Sequence, residues 1–138
     1  MYRENNMTSI NEHLLGSPDK NLALLRVLAE NSFDSILITD STDEGTIIYA
    51  NPAFETLTGF NRTEVIGNTP RILQGLGTDE KVIDRLSRAL KSGDEFEGKA
   101  INYKKDGTPF IMYWRVLPIK LGKKIEAWVA IQREGSAI

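Results

Sequence analysis

From Glu95 to Arg133 the chain reads as three strand-length runs, Glu95 to Lys104, Pro109 to Lys120 and Ile125 to Arg133, separated by two short turns. Asp106-Gly107 and Leu121-Gly122-Lys123-Lys124 carry hairpin chemistry, because glycine supplies the positive φ that tight antiparallel turns need. The last third of the chain is thereby predicted to be an antiparallel meander. Successive strand residues face opposite sides, so Phe96, Gly98, Ala100 and Asn102 share a face, as do Phe110, Met112, Trp114 and Val116, and likewise Trp128, Ala130 and Gln132. Two amides, Asn102 and Gln132, thus sit on an apolar face. A buried amide without partners costs about 1 to 3 kcal/mol, so each needs a ligand edge, the other amide, a backbone group or water. The opposite set, Ile101, Tyr103, Ile111, Tyr113, Leu117, Ile119, Val129 and Ile131, is too apolar to be left open to water and needs a cover.

Upstream, Ser35-Ile36-Leu37-Ile38-Thr39 and Thr46-Ile47-Ile48-Tyr49-Ala50 are β-branched runs joined by a turn-rich segment, which predicts a hairpin. Asn51-Pro52 opens a short helix that stops at Gly59, and Asn61 to Gly67 forms another of one to two turns. Thr78 is predicted to cap a helix beginning at Asp79-Glu80, whose Val82, Ile83, Leu86, Ala89 and Leu90 keep one face until Gly93. At the front, residues 1–16 read as a flexible lead. Residues 17–31 read as an amphipathic cap helix opened by Ser17-Pro18-Asp19 and carrying Leu22, Leu24, Leu25, Val27 and Leu28. Residues 32–138 are the main domain. The order of hairpin, small helices, longer helix and three-stranded meander is an α+β pattern around one antiparallel sheet.

Several function classes are excluded by what the chain lacks. It has 138 residues, 41% of them apolar, and a formal net charge of -2, which suits one globular domain with a proper core. Zero cysteines remove disulfides and thiolate metal sites, and the single histidine, His13, lies in the polar lead without partners, so no metal or haem site is expected. No paired carboxylates, Ser/His/Asp set or phosphate-cradling glycine loop is spaced for catalysis, and enzyme activity is not expected. Interspersed charges argue against a nucleic-acid surface. No apolar run approaches the ~20 residues of a membrane span, and Met1 to Asn6 has no signal-peptide core, so a cytoplasmic address is expected.

The stretch Gly67-Asn68-Thr69-Pro70-Arg71-Ile72-Leu73-Gln74-Gly75 sets a cation and an amide among apolar neighbours, between glycines, with Pro70 forcing Thr69 out of helical geometry. That composition suits a short, irregular pocket wall. It resembles the G-R-N-C-R-F-L-Q-G signature of LOV domains, the flavin-binding photosensory branch of the PAS family, with Arg71, Leu73, Gln74 and Gly75 in register. Tyr49 to Phe54 with Thr58-Gly59-Phe60, and Asn102 to Phe110, extend the resemblance over about Ser32 to Gln132.

The resemblance implies a PAS fold: a five-stranded antiparallel sheet with small helices on one face and an N-terminal helix outside the core. It implies that Asn102 and Gln132 hydrogen-bond the polar edge of a flavin ring, while Gln74 and Arg71 contact the ribityl chain and phosphate of FMN or another flavin. Thr69 and Leu73 complete the candidate cofactor-binding set. It also pairs Glu64 with Lys105, although two independently solvated charges are an equal reading of the residues alone. The signature's reactive cysteine falls on Pro70, so light-driven thiol addition is excluded. Its second ring amide falls on Met112, a ring-packing leucine on Trp114 and its second phosphate arginine on Ser87, with Arg85 or Arg88 as candidate replacements. The expected function is a sensory or regulatory signalling module that acts through its outer sheet face on a partner or output domain. A homodimer built on that face and the Leu22 to Leu28 helix is expected. The alternative is a ligand-free scaffold for dimerisation or protein interaction.

Overall fold

A computed structural model describes residues 18–136; the predicted lead, residues 1–16 with His13, and Ser17, the predicted opening of the cap helix, lie outside the described residues. The chain divides after Ser32 into two compact units. In the first, α1 (Pro18–Glu30) is closed by Asn31, whose backbone N–H and side-chain Nδ2 both donate to the Val27 carbonyl, at 3.2 and 2.8 Å. Leu22, Leu25, Val27 and Leu28 of this helix are exposed.

The second unit contains β1 (Ser35–Asp40), β2 (Ile47–Ala50), α2 (Pro52–Thr58), α3 (Arg62–Val65), a 3₁₀ turn (Pro70–Leu73), α4 (Glu80–Ser92), β3 (Phe96–Tyr103), β4 (Pro109–Leu121) and β5 (Lys124–Glu134). Its five strands form one antiparallel sheet in the order β2-β1-β5-β4-β3, so the predicted α+β architecture is the one observed. Pairing of the first strand with the last joins the hairpin to the meander, leaving β2 and β3 as the two edges. The register sets Ser35 opposite Gln132 and Leu37 opposite Ala130, Trp114 opposite Gln132, and Gly98 opposite Trp114. One face therefore carries Leu37, Trp128, Gln132, Met112, Trp114, Val116, Phe96, Ala100 and Asn102, all buried as the alternation predicts.

Local chemistry places the small helices over this face. Asn51 caps α2: its Oδ1 accepts from Phe54 N at 3.1 Å and from Ile36 N at 2.8 Å, while its Nδ2 donates to the Asp34 carbonyl at 3.0 Å. One fully buried amide thus ties a helix start to a central strand. Gly59 ends the helix at φ 77°, a conformation that glycine adopts without penalty. Asn61 and Glu64 form a capping box on α3, which is a single turn. Phe54, Val65 and Leu73 then fill the core against Leu37 and Ile47, and Val82, Leu86, Ala89 and Leu90 of α4 pack around it.

Thr78 is not the cap of α4. Asp79 takes that place by accepting from Lys81 N at 2.9 Å, because the Thr78 hydroxyl is already engaged, accepting from Gly75 N at 3.0 Å and donating to the Ile101 carbonyl at 2.7 Å. The loop after the 3₁₀ turn is in this way fastened to β3. A Cβ on Gly75 would stand 2.5 Å from the Tyr103 ring, so only glycine lets the loop approach so closely. On the outer face the register adds Ile36 and Ile38 to the predicted apolar set, and Ile101, Tyr113 and Ile119 keep 39%, 37% and 38% of their surface exposed.

Candidate functional site

The inner face, α4, the 3₁₀ turn and the β1–β2 loop enclose a cavity of about 180 Å³. All six residues predicted for the site, Thr69, Arg71, Leu73, Gln74, Asn102 and Gln132, line it. Thr69 is extended (φ -102°, ψ 159°), as the following proline requires, and makes no side-chain cap to the 3₁₀ turn. Pro70 occupies the first position of the turn, where a missing N–H leaves nothing unpaired. Gln74 closes the turn through its backbone N–H to Arg71 O at 2.9 Å, and Gln74 itself lines the cavity.

The two inner amides are partly satisfied within the protein. Gln132 accepts from Ser35 Oγ through Oε1 at 3.0 Å, and its Nε2 has no partner among the described residues. The Asn102 amide nitrogen faces the carbonyls of Ile101 and Leu73, at 3.2 and 3.3 Å, in the orientation that sets donors against acceptors. Its oxygen then lies beside the Met112 thioether. Backbone carbonyls and a serine hydroxyl are therefore the internal partners, out of the alternatives the residues alone left open.

One of the sequence expectations changes here. Neither Arg85 nor Arg88 replaces the missing second cation. Arg85 donates to the Glu97 carbonyl at 2.9 Å and stacks 4.7 Å over the Phe96 ring, and Arg88 turns back to the Asp84 carbonyl at 3.4 Å. The cavity lining takes Ser87 from α4 instead. At the mouth, Asp43, Glu44 and Gly45 of the β1–β2 loop join the lining, an addition to the predicted set. Only their turn character was readable in advance. Asp40 holds the loop closed, accepting from Thr42 N at 3.2 Å, Thr42 Oγ1 at 2.5 Å and Thr46 N at 3.0 Å, and these bonds, that from the Thr42 hydroxyl first, lower its pKa.

Outside the cavity, Lys105 Nζ lies 2.9 Å from Glu64 Oε1, bridging α3 to the β3–β4 turn. The bond from Lys105 is the main cause of the lowered Glu64 pKa. A carboxylate depressed in the folded state contributes stability above its unfolded pKa and loses it as pH falls through the folded value. The bridge is therefore expected to open only below the ordinary carboxylate range. In an NMR titration the Glu64 midpoint should rise in Lys105→Met, and an unchanged midpoint would remove Lys105 as the cause.

Residues 34–136 match the PAS domain family. The LOV domain of the Erythrobacter litoralis EL346 blue-light-activated histidine kinase superposes with a TM-score of 0.70 at 36% identity, over 73% of this chain and 94% of that one. The chain is a PAS domain of the LOV branch. Among curated proteins, phototropin-1A of Oryza sativa subsp. japonica is 40% identical over 87 residues, and blue-light-activated histidine kinase 2 of Erythrobacter litoralis (strain HTCC2594) is 37% identical over 100. These alignments cover 62% and 71% of this chain but only 9% and 29% of the relatives, so the LOV domain corresponds to a small part of each. As a LOV domain it is a sensory signalling module homologous to blue-light photoreceptors. Pro70, Ser87, Met112 and Trp114, the four positions singled out above as departing from the LOV pattern, all line the same cavity.

Proposed function

We propose that this LOV domain binds a flavin in its cavity and signals without thiol chemistry, through its outer sheet face. The observation that carries the reading is the convergence of Asn102, Gln132, Gln74, Arg71, Thr69 and Leu73 on one cavity, with the Gln132 Nε2 still open to a partner. Gln132 and Asn102 would hold the polar edge of the ring, Leu73 and Trp114 its faces, and Gln74 the side chain. The flavin supplies light absorption and redox capacity. Ligand pockets commonly measure ~300–1,000 Å³, and this one is smaller. Entry of a three-ring heterocycle therefore needs the lining to give way, with the unbranched Met112 side chain the most adaptable part of it.

Reconstitution tests the reading. The purified chain incubated with riboflavin and with FMN is expected to retain a structured blue absorption band and to quench flavin fluorescence. Gln132→Leu should weaken that binding roughly tenfold, the worth of one buried hydrogen bond. A folded, colourless protein that quenches neither flavin would refute it. That outcome would favour the second reading, a ligand-free association scaffold, which the internal partners of Asn102 and Gln132 support.

Signalling through the outer face requires that the face meet something. Burying a mid-sized aliphatic side chain contributes ~1.5 to 3 kcal/mol, and the partly open apolar band from Ile36 to Ile101 supplies several such side chains. We propose a twofold homodimer on this face, the commonest closed arrangement for a self-complementary patch. Light scattering at tens of micromolar should report a dimer for the intact chain and a monomer for Ile131→Lys. A monomeric intact chain would overturn the homodimer.

A further inference from the structure

We infer that the cavity is built for an unphosphorylated flavin, a riboflavin-type ligand with a neutral polyol tail, in preference to FMN. The inference rests on the flavin reading and concerns the opposite end of the same cavity. Burial divides the lining into two parts: Asn102 and Gln132 are 4% and 2% exposed, whereas Arg71, Ser87, Asp43 and Glu44 are all exposed. A ring seated against the two amides sends its tail out between the four exposed residues.

A phosphate dianion at that mouth meets one guanidinium and two carboxylates, a net charge of its own sign. None of Arg71, Asp43 and Glu44 is in an ion pair among the described residues, so nothing there neutralises the two acids. Arg85 and Arg88 are turned to backbone carbonyls. A neutral polyol suits the same groups. Its hydroxyls can donate to the Asp43 and Glu44 carboxylates, bonds strengthened by the acceptor's charge, and to the Gln74 amide oxygen, while Ser87 and Arg71 donate to its oxygens.

The test is a fluorescence-quenching titration of the full chain with riboflavin and with FMN at low salt. Riboflavin is expected to bind at least ~3-fold more tightly than FMN, and the difference should shrink as salt screens the exposed mouth. The double substitution Asp43→Asn with Glu44→Gln should raise FMN affinity by about tenfold and lower riboflavin affinity, since it removes the repulsion felt by the phosphate and the charged acceptors used by the polyol. Arg71→Ala should weaken FMN more than riboflavin, because the guanidinium meets a dianion in the one and a neutral polyol in the other. FMN bound more tightly than riboflavin by the intact chain would overturn the inference while leaving the flavin reading in place. An equal shift of both ligands by the double substitution would overturn it in the same way. Failure of both flavins to bind would remove the flavin reading and this inference together.

Discussion

Replacing Asn51 by alanine is expected to destabilise the domain by about 3 kcal/mol, from the loss of a helix cap (~1 kcal/mol) and of bonds to groups that are then left short of partners (~1 to 3 kcal/mol). The side chain has no exposed surface, caps α2 through Phe54 N, and reaches back to Ile36 N and to the Asp34 carbonyl. Water cannot readily take up those roles at a buried position. Against a domain stability of roughly 5 to 15 kcal/mol, the loss is large enough to shift a urea midpoint plainly. Asn61→Ala is the control, because Asn61 caps α3 by similar chemistry but in the open, where a cap contributes about 1 kcal/mol. Equal losses for the two variants would show that Asn51 acts only as a cap and does not anchor the strand.

The second large effect is spectroscopic. Illumination of the flavin-loaded chain is expected to give no reversible bleaching of the blue band with a blue-shifted adduct peak, because no thiol exists anywhere in the chain and Pro70 stands where the LOV signature has its cysteine. Pro70 lines the cavity and opens the 3₁₀ turn, a position where any residue's N–H needs no intrahelical partner. A cysteine should therefore be accepted there without moving the turn. Pro70→Cys is expected to gain the bleaching that the intact chain lacks, with dark recovery. An adduct spectrum from the intact chain would sink the proposal of thiol-free signalling. A flavin-loaded Pro70→Cys that stays inert would show that position 70 does not face the reactive part of the ring. In the intact chain, Trp114 and Trp128 line the cavity and are the candidate electron donors for photoreduction of a bound flavin.

How legible each part was depends on the range over which its cause acts. The capping of α2 by Asn51 and its stop at Gly59 follow from residues a few positions apart, and so does the turn at Asp106-Gly107. The error at Thr78 is instructive. Two adjacent residues, Thr78 and Asp79, can each cap a helix, and the choice fell to Asp79 because β3 claimed the threonine hydroxyl from 23 residues away. The pairing of Glu64 with Lys105, left open by the residues alone, was decided in the same manner across 41 positions.

The site divides along the same line. Alternation by itself determined that Asn102, Met112, Trp114 and Gln132 would face the core, since the strand period is a local property of the backbone and one apolar face must leave water. It could not determine that β1 lies against β5, bringing Ser35 to Gln132 across 97 residues and giving that amide an internal partner. Nor could it show that the β1–β2 loop carries Asp43 and Glu44 to the cavity mouth, or that Arg85 is held by Glu97 and Phe96. Period and turn chemistry are written in neighbouring residues, but hydrogen-bond partners and the charge at a pocket mouth are set by which distant segments meet when the strands assemble. The sequence alone therefore determined which side chains face inward, and only the tertiary structure decided what they meet there.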